Sequence, residues 1–169
     1  MLKEQFDHRC WTTDLKSEKV YIHLQGSGHI MSTYRKVLEI RTKGERDMVD
    51  ISDEIRDAIT ESSISDGLAC AFVPGSTAAI VTIEFEPGLE SDLSDALERL
   101  IPKGIEYDHH RRWGDGNGHS HIRASFLSPS LTIPFQHGVA DLGTWQQVVL
   151  LELDVRSRSR RIIVQVTGE

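Results

Sequence analysis

The stretch Gly67–Glu86, GLACAFVPGSTAAIVTIEFE, decides how the chain is read. Its second half alternates: Val81, Ile83 and Phe85 fall on one side and Thr82, Glu84 and Glu86 on the other, the pattern of a half-buried strand. Its first half reads as a second strand, or as the start of one long strand broken at Pro74-Gly75, where proline lacks a ladder donor and glycine permits a bend. Pro87-Gly88 ends the segment. Beyond it Leu89, Leu93, Leu97 and Leu100 recur at helical spacing behind Ser91 and Asp92, until Pro102 and Gly104 stop the pattern. Upstream, Ile51, Ile55 and Ile59 repeat every four residues behind an N-cap at Asp50 or Ser52, with Asp53 and Glu54 in the first turn, a second amphipathic helix. Tyr34–Thr42 reads as a strand ended by Gly44. Four β segments close the chain: His119–Leu127, Ser130–Phe135, and Trp145–Val155 paired with Arg161–Val166 across Arg156-Ser157-Arg158-Ser159-Arg160, which reads as an exposed, solvated basic connection. The sum is an α+β protein, an antiparallel β-sandwich with two helices packed on one side.

The chain has 169 residues, 38% of them hydrophobic, enough for one ordinary core. Its formal net charge of −7 offers no overall positive field to a phosphate backbone, so nucleic acid is not expected as a partner. No stretch reaches the roughly 20 apolar residues of a membrane helix. Cys10 and Cys70 form no CxxC pair, and the opening residues show no basic segment followed by an apolar run, so a reduced, cytoplasmic protein is expected. Residues 1–30 read as an N-terminal extension with one strand candidate, Val20–Leu24, ending in Gly26-Ser27-Gly28, and residues 31–169 as a single domain. The opposing reading makes Val20, Ile22 and Leu24 an edge strand that covers apolar surface.

Residues 105–118 carry little apolar periodicity but hold Asp108-His109-His110-Arg111-Arg112-Trp113 and Gly114-Asp115-Gly116-Asn117-Gly118, the composition of a functional loop. If 119–127 is a strand, His119 and His121 share a face about 6.6 Å apart, and one metal can bridge them. Imidazoles bind zinc at about 2.0–2.1 Å, and a catalytic zinc needs a third ligand and an open position, which His109, His110 or a carboxylate can supply. Thr82, Glu84, Glu86, Asp108 and Asp115 offer oxygen to magnesium instead. The same histidines and glutamates also read as the wet face of strands, and Trp113 and Trp145 as packing residues.

Four segments together carry a resemblance: Gly75-Ser76-Thr77-Ala78-Ala79, Gly114-Asp115-Gly116-Asn117-Gly118-His119-Ser120-His121, Leu142-Gly143-Thr144-Trp145-Gln146 and Gln165-Val166-Thr167-Gly168-Glu169. In order and spacing, from about Tyr34 to Glu169, they are similar to the YjbQ family, the secondary thiamine-phosphate synthase family. The resemblance implies a jelly-roll-like sandwich, commonly a homotrimer, and a polar pocket that includes His121 and Gln146 with Asp115, Asn117 and His119 beside them. Where many relatives have a histidine followed by two threonines this chain has Gly75-Ser76-Thr77, which looks like a branch in which Glu84 and His109 or His110 replace the missing imidazole. The resemblance also implies a weak synthase activity, in which a thiazole phosphate displaces pyrophosphate from a hydroxymethylpyrimidine diphosphate. That chemistry needs charge stabilisation on the leaving diphosphate, for which Asp115, Glu84 and Arg123 are candidates, Arg123 through its place two residues beyond His121 on the same strand face. The expectation is therefore a metal-assisted enzyme on a small phosphorylated or heterocyclic substrate. Zinc is placed ahead of magnesium, with His119, His121 and His109 as ligands. The alternatives are a metal-dependent hydrolase and a non-catalytic trimer that binds a metabolite or metal.

Overall fold

In the computed structural model, residues 31–169 and the backbone of the strand Glu18–Ile22 are described. Two antiparallel sheets carry the fold. The larger has the order β1 (Glu18–Ile22), β2 (Met31–Arg41), β9 (Ser159–Gly168), β4 (Gly67–Phe72), β6 (Ser130–Gln136) and β7 (Val139–Ala140); the smaller is β3 (Met48–Asp50), β8 (Gln147–Glu152) and β5 (Ala78–Ile83). Four helices complete it: α1 (Ser52–Ser62), α2 (Pro87–Leu100), α3 (Asp108–Trp113) and α4 (Gly118–Leu127). The α+β, antiparallel, two-sheet reading holds.

The layers follow from residue patterns. Ile51, Ile55 and Ile59 are fully buried, and they set α1 into the core between the sheets together with Tyr34, Leu38, Ile162, Val164 and Val166. Each such isoleucine contributes roughly 1.5–3 kcal/mol by leaving water. The run Val148-Val149-Leu150-Leu151 is apolar without a break because β8 is covered on both faces. Val148 and Leu150 join the inter-sheet core, while Val149, Leu151 and Leu153 pack with Leu97 of α2 and Ala124 of α4 in a second cluster. Val81, Ile83 and Phe85 lie against that second cluster, as their alternation predicts. The N-cap is Ile51 rather than Asp50 or Ser52, and it makes no side-chain cap; Asp50 Oδ1 instead accepts from the Ser52 amide at 2.8 Å, just outside the helix.

The structure corrects the sequence at three places. Residues 118–127 are helix α4, where the sequence predicted a strand, and 108–113 are helix α3, where it predicted a loop; the helices are therefore four. GHSHIRASFL carries little apolar periodicity of its own, so the burial of Ala124 against β8 and α2 decides its form. The last two long strands do not pair with each other. β8 pairs with β3 and β5, β9 with β2 and β4, and the basic segment between them crosses from one sheet to the other. The Pro74-Gly75 break is a second such crossing, from β4 to β5. Of the N-terminal strand candidate, Val20–Ile22 falls in β1, which pairs with β2 from Glu18↔Arg35 to Ile22↔Met31, while Leu24 and the Gly26-Ser27-Gly28 joint lie outside the described residues.

Arg123 is the third correction: it is 2% exposed rather than presented on a strand face. Its Nη1 donates to Glu45 Oε1 at 2.9 Å, its Nη2 to Glu98 Oε2 at 2.6 Å, and its Nε to the Ile101 carbonyl at 3.0 Å, tying the C-terminal end of α2 and the β2–β3 loop to α4. Removing one partner of a buried ion pair strands the other. Arg123→Met should cost about 3 kcal/mol, the lower end of that class because Lys103 still holds Glu45, and urea unfolding of the variant beside the wild type measures it.

Candidate functional site

The site is built by α3, the loop after it and the first turn of α4. The loop closes tightly at Gly118, where a Cβ would stand 2.7 Å from the Tyr107 Cβ, and its amide donates to His110 Nε2 at 2.9 Å. His110 is thus spent on the loop, and it meets the Tyr107 ring edge-on at 5.2 Å. His109 and His121 face one another, ring centroids 4.5 Å apart. His109 Nε2 lies 3.4 Å from Asp115 Oδ1. Asn117, buried at the start of α4, satisfies its surroundings with its amide nitrogen turned to Asp115 Oδ1 at 2.9 Å and His109 Nε2 at 3.2 Å. Glu106, Tyr107, His109, Gly118, His121 and Ile122 line an open cleft of about 410 Å³. Burial pushes the His121 imidazole below its ordinary range, a nearby His109 charge would push it further, and Asp115 and Asp154 oppose both.

On a helix, residues two apart point roughly 200° away from each other, so His119 and His121 share no face. His119 is fully buried on the far side, its Nε2 3.1 Å from Glu45 Oε1. The same Nε2 stands 3.5 Å from Ser120 Oγ. A nucleophilic triad needs the imidazole to reach the serine with one nitrogen and the carboxylate with the other, so this buried cluster is not one. With Nε2–H donated to Glu45, Nδ1 keeps a lone pair that meets no partner among the described residues.

Of the residues singled out from sequence, the structure therefore brings together His109, His121, Asp115 and Asn117. It does not bring Glu84 or Gln146 to them. In the β5–β8 register Ala78 pairs with Glu152 and Ile83 with Gln147, so the Asp154 end near His121 and the Glu84–Gln146 end are about 17 Å apart along the strands. Gln146 is exposed, its Oε1 accepting from the Gly143 amide at 2.8 Å beside a small hollow that Thr82, Thr132 and Asp141 share. Glu84 is exposed and past the end of β5. Trp113 and Trp145 are 65% and 68% exposed, so neither packs. As for zinc, His119 is turned away from His109 and His121, and among the described residues no three His, Cys, Asp or Glu side chains converge on one ion.

Sequence reasoning missed the buried acids and arginines next to Thr77. Asp154 accepts from Thr77 Oγ1 at 3.0 Å and from Arg158 Nε and Nη2 at 3.0 and 2.7 Å. Burial works to raise its carboxyl, and the bonds from Arg158, the Arg156 amide and Thr77 outweigh that and hold it low. Glu152, fully buried, receives Arg160 Nε at 2.7 Å and also its Nη2, and the Thr42 hydroxyl at 2.7 Å. The signal was present in the chain: acids at 152 and 154 and arginines at 158 and 160, spaced alike on either side of a turn.

A two-sheet α+β fold carrying an imidazole-lined cleft between a Gly-rich loop and a helix start is the class this geometry defines. Residues 36–169 match the family described as UPF0047 protein YjbQ-like. A UPF0047 protein of Methanothermobacter thermautotrophicus is 37% identical over 142 residues, 84% of this chain and 97% of that one. Among solved structures, a YbjQ-like protein of unknown function from Sulfolobus solfataricus aligns with a TM-score of 0.77 at 33% identity, over 82% of this chain and 99% of that one. An uncharacterized conserved protein of the YjbQ/UPF0047 family from Clostridium acetobutylicum gives 0.70 at 32% identity, over 78% and 98%. The chain belongs to the YjbQ-like UPF0047 family. No helix among the described residues is long and apolar enough to cross a membrane.

His119 makes stability depend on pH. Burial lowers its proton affinity from the ordinary 6.5, Arg123 and Lys103 add to this, and Glu45 opposes it. A depressed folded pKa means that the unfolded chain takes up the proton first, so stability falls as pH drops below about 6.5. His121 acts in the same sense, whereas Glu45 and Asp154, held low, lose their contributions only in the carboxylate range below. Thermal unfolding at about pH 7.5 and pH 5.5 should show a midpoint drop that is smaller in His119→Gln than in wild type.

Proposed function

We propose that the cleft is an acid–base centre for a small phosphorylated or heterocyclic substrate, with the 4.5 Å pairing of His109 and His121 beside Asp115 as the observation that carries the reading. Two imidazoles in unlike surroundings divide the work of proton transfer. His121, desolvated and next to a second imidazole, stays neutral near pH 7 and serves as base or hydrogen-bond acceptor. His109, 3.4 Å from Asp115, is the second ring within reach of the same substrate. The Asn117 amide donates both to the Asp115 carboxylate and to His109 Nε2, and so holds the two in place.

Membership of the YjbQ family brings in the transfer reaction of a secondary thiamine-phosphate synthase as the named candidate. There the pyrimidine–diphosphate bond breaks and the thiazole nitrogen takes its place. A departing diphosphate is stabilised by a proton or cation held beside it. The homotrimer belongs to the same reading: Leu68 and Phe72, 47% and 39% exposed on β4, offer a second copy apolar surface outside the site.

The test follows pyrophosphate release and thiamine-phosphate formation, together with a panel of phosphate esters and diphosphates. His109→Ala and His121→Ala should each lower turnover by about 10²–10⁴-fold with unchanged melting temperatures. Wild-type rates in both variants, or no turnover of any panel member by wild type, would refute the acid–base reading and leave a binding protein.

A further inference from the structure

Arg160 is 8% exposed and divides its guanidinium unequally. Nε and Nη2 go to Glu152, and Nη2 also donates to the Thr77 carbonyl at 3.0 Å and hydroxyl at 2.9 Å. Nη1, with two N–H groups, has no acceptor among the described residues. It lies beside Gly75, where an added Cβ would stand 3.1 Å away; Gly75 has φ +156°, a conformation side-chain-bearing residues rarely adopt. The amides of Gly75, Ser76 and Thr77 likewise donate to no protein acceptor among the described residues, while Gly75 and Ser76 are open to solvent. The two nearby carboxylates are already answered, Glu152 by the other edge of Arg160 and Asp154 by Arg158 and Thr77.

A fixed guanidinium with unspent donors, next to a bare turn with free amides, is the donor set that holds a tetrahedral oxyanion. It also adjoins the cleft: Thr77 donates to Asp154, and Asp154 is near enough to His121 to raise its proton affinity. We propose that the Gly75–Thr77 turn and the Nη1 edge of Arg160 form an anion subsite, which takes a phosphate group of the substrate handled at His109 and His121. The role in turnover rests on the acid–base reading; the anion binding itself does not.

Calorimetric titration with inorganic phosphate and with pyrophosphate, at ionic strength held constant with chloride, tests this on the full chain. Wild type should bind at least one of the two. Gly75→Ala, which crowds Nη1, and Ser76→Asp, which sets a carboxylate at an exposed position without touching the core, should each weaken binding about tenfold or more. His121→Ala should stay within about twofold of wild type. No binding by wild type overturns the proposal. So does wild-type affinity in Ser76→Asp, or loss of binding in His121→Ala with retention in Ser76→Asp, which would put the anion on the imidazoles. Binding that follows the expected pattern in a protein that turns over nothing would sink the acid–base reading and leave the subsite standing.

Discussion

Where β4 gives way to β5 and β8 to β9, the chain leaves one sheet for the other, and both crossings meet at the ion pair of Glu152 and Arg160. Both crossings abandon ladder hydrogen bonds, and where they are buried, at Thr77, Glu152 and Arg160, the polar groups are costly unless paired. Thr77, from the first crossing, and Arg160, from the second, supply the missing partners to each other and to Glu152, and Thr42 closes the network from the end of β2. Buried charges of this kind are weak sources of net stability, but removing one is expensive, so they fix which segments must lie together. Asp154 follows Glu152 on the same crossing, and its charge opposes the lowering of the His121 proton affinity.

Helix α4 divides its two histidines by geometry alone. His121 faces the cleft, while His119 faces inward to Glu45 and stands in a polar cluster with Arg123. One imidazole is available for chemistry because the other is committed to holding the β2–β3 loop against the helix. His110, bonded to the Gly118 amide, plays a similar supporting part, which leaves His109 as the ring that meets His121.

The residues most visible in the chain were not all partners. Asp115, Asn117, His109 and His121 lie within one loop and the start of one helix, so their nearness in sequence carries over into space. Gln146 and Glu84 lie at the other end of the β5–β8 pair, where the ladder register keeps them from the imidazoles of this chain. Sequence proximity cannot express that separation, because it arises from which ends of two strands are opposed.

What the sequence determined by itself is whatever rests on local period. The spacing of Ile51, Ile55 and Ile59 specifies α1, the alternation of Val81, Ile83 and Phe85 specifies the buried face at β5, and the unbroken apolar run of β8 marks a strand covered twice, since each pattern needs only one buried side to be satisfied. The tertiary structure decided the rest. Gly118–Leu127, with no strong period, takes its helical form and its orientation from Ala124 packed on the second core and from Arg123 bridging Glu45 and Glu98. The chain past Asp154 reads as an exposed basic turn until β9 pairs with β2 and β4 instead of β8 and carries Arg160 back onto Glu152. The physical reason is the same in both cases: these residues draw their stability from partners far away in the chain, and no local pattern records a partner that only folding supplies.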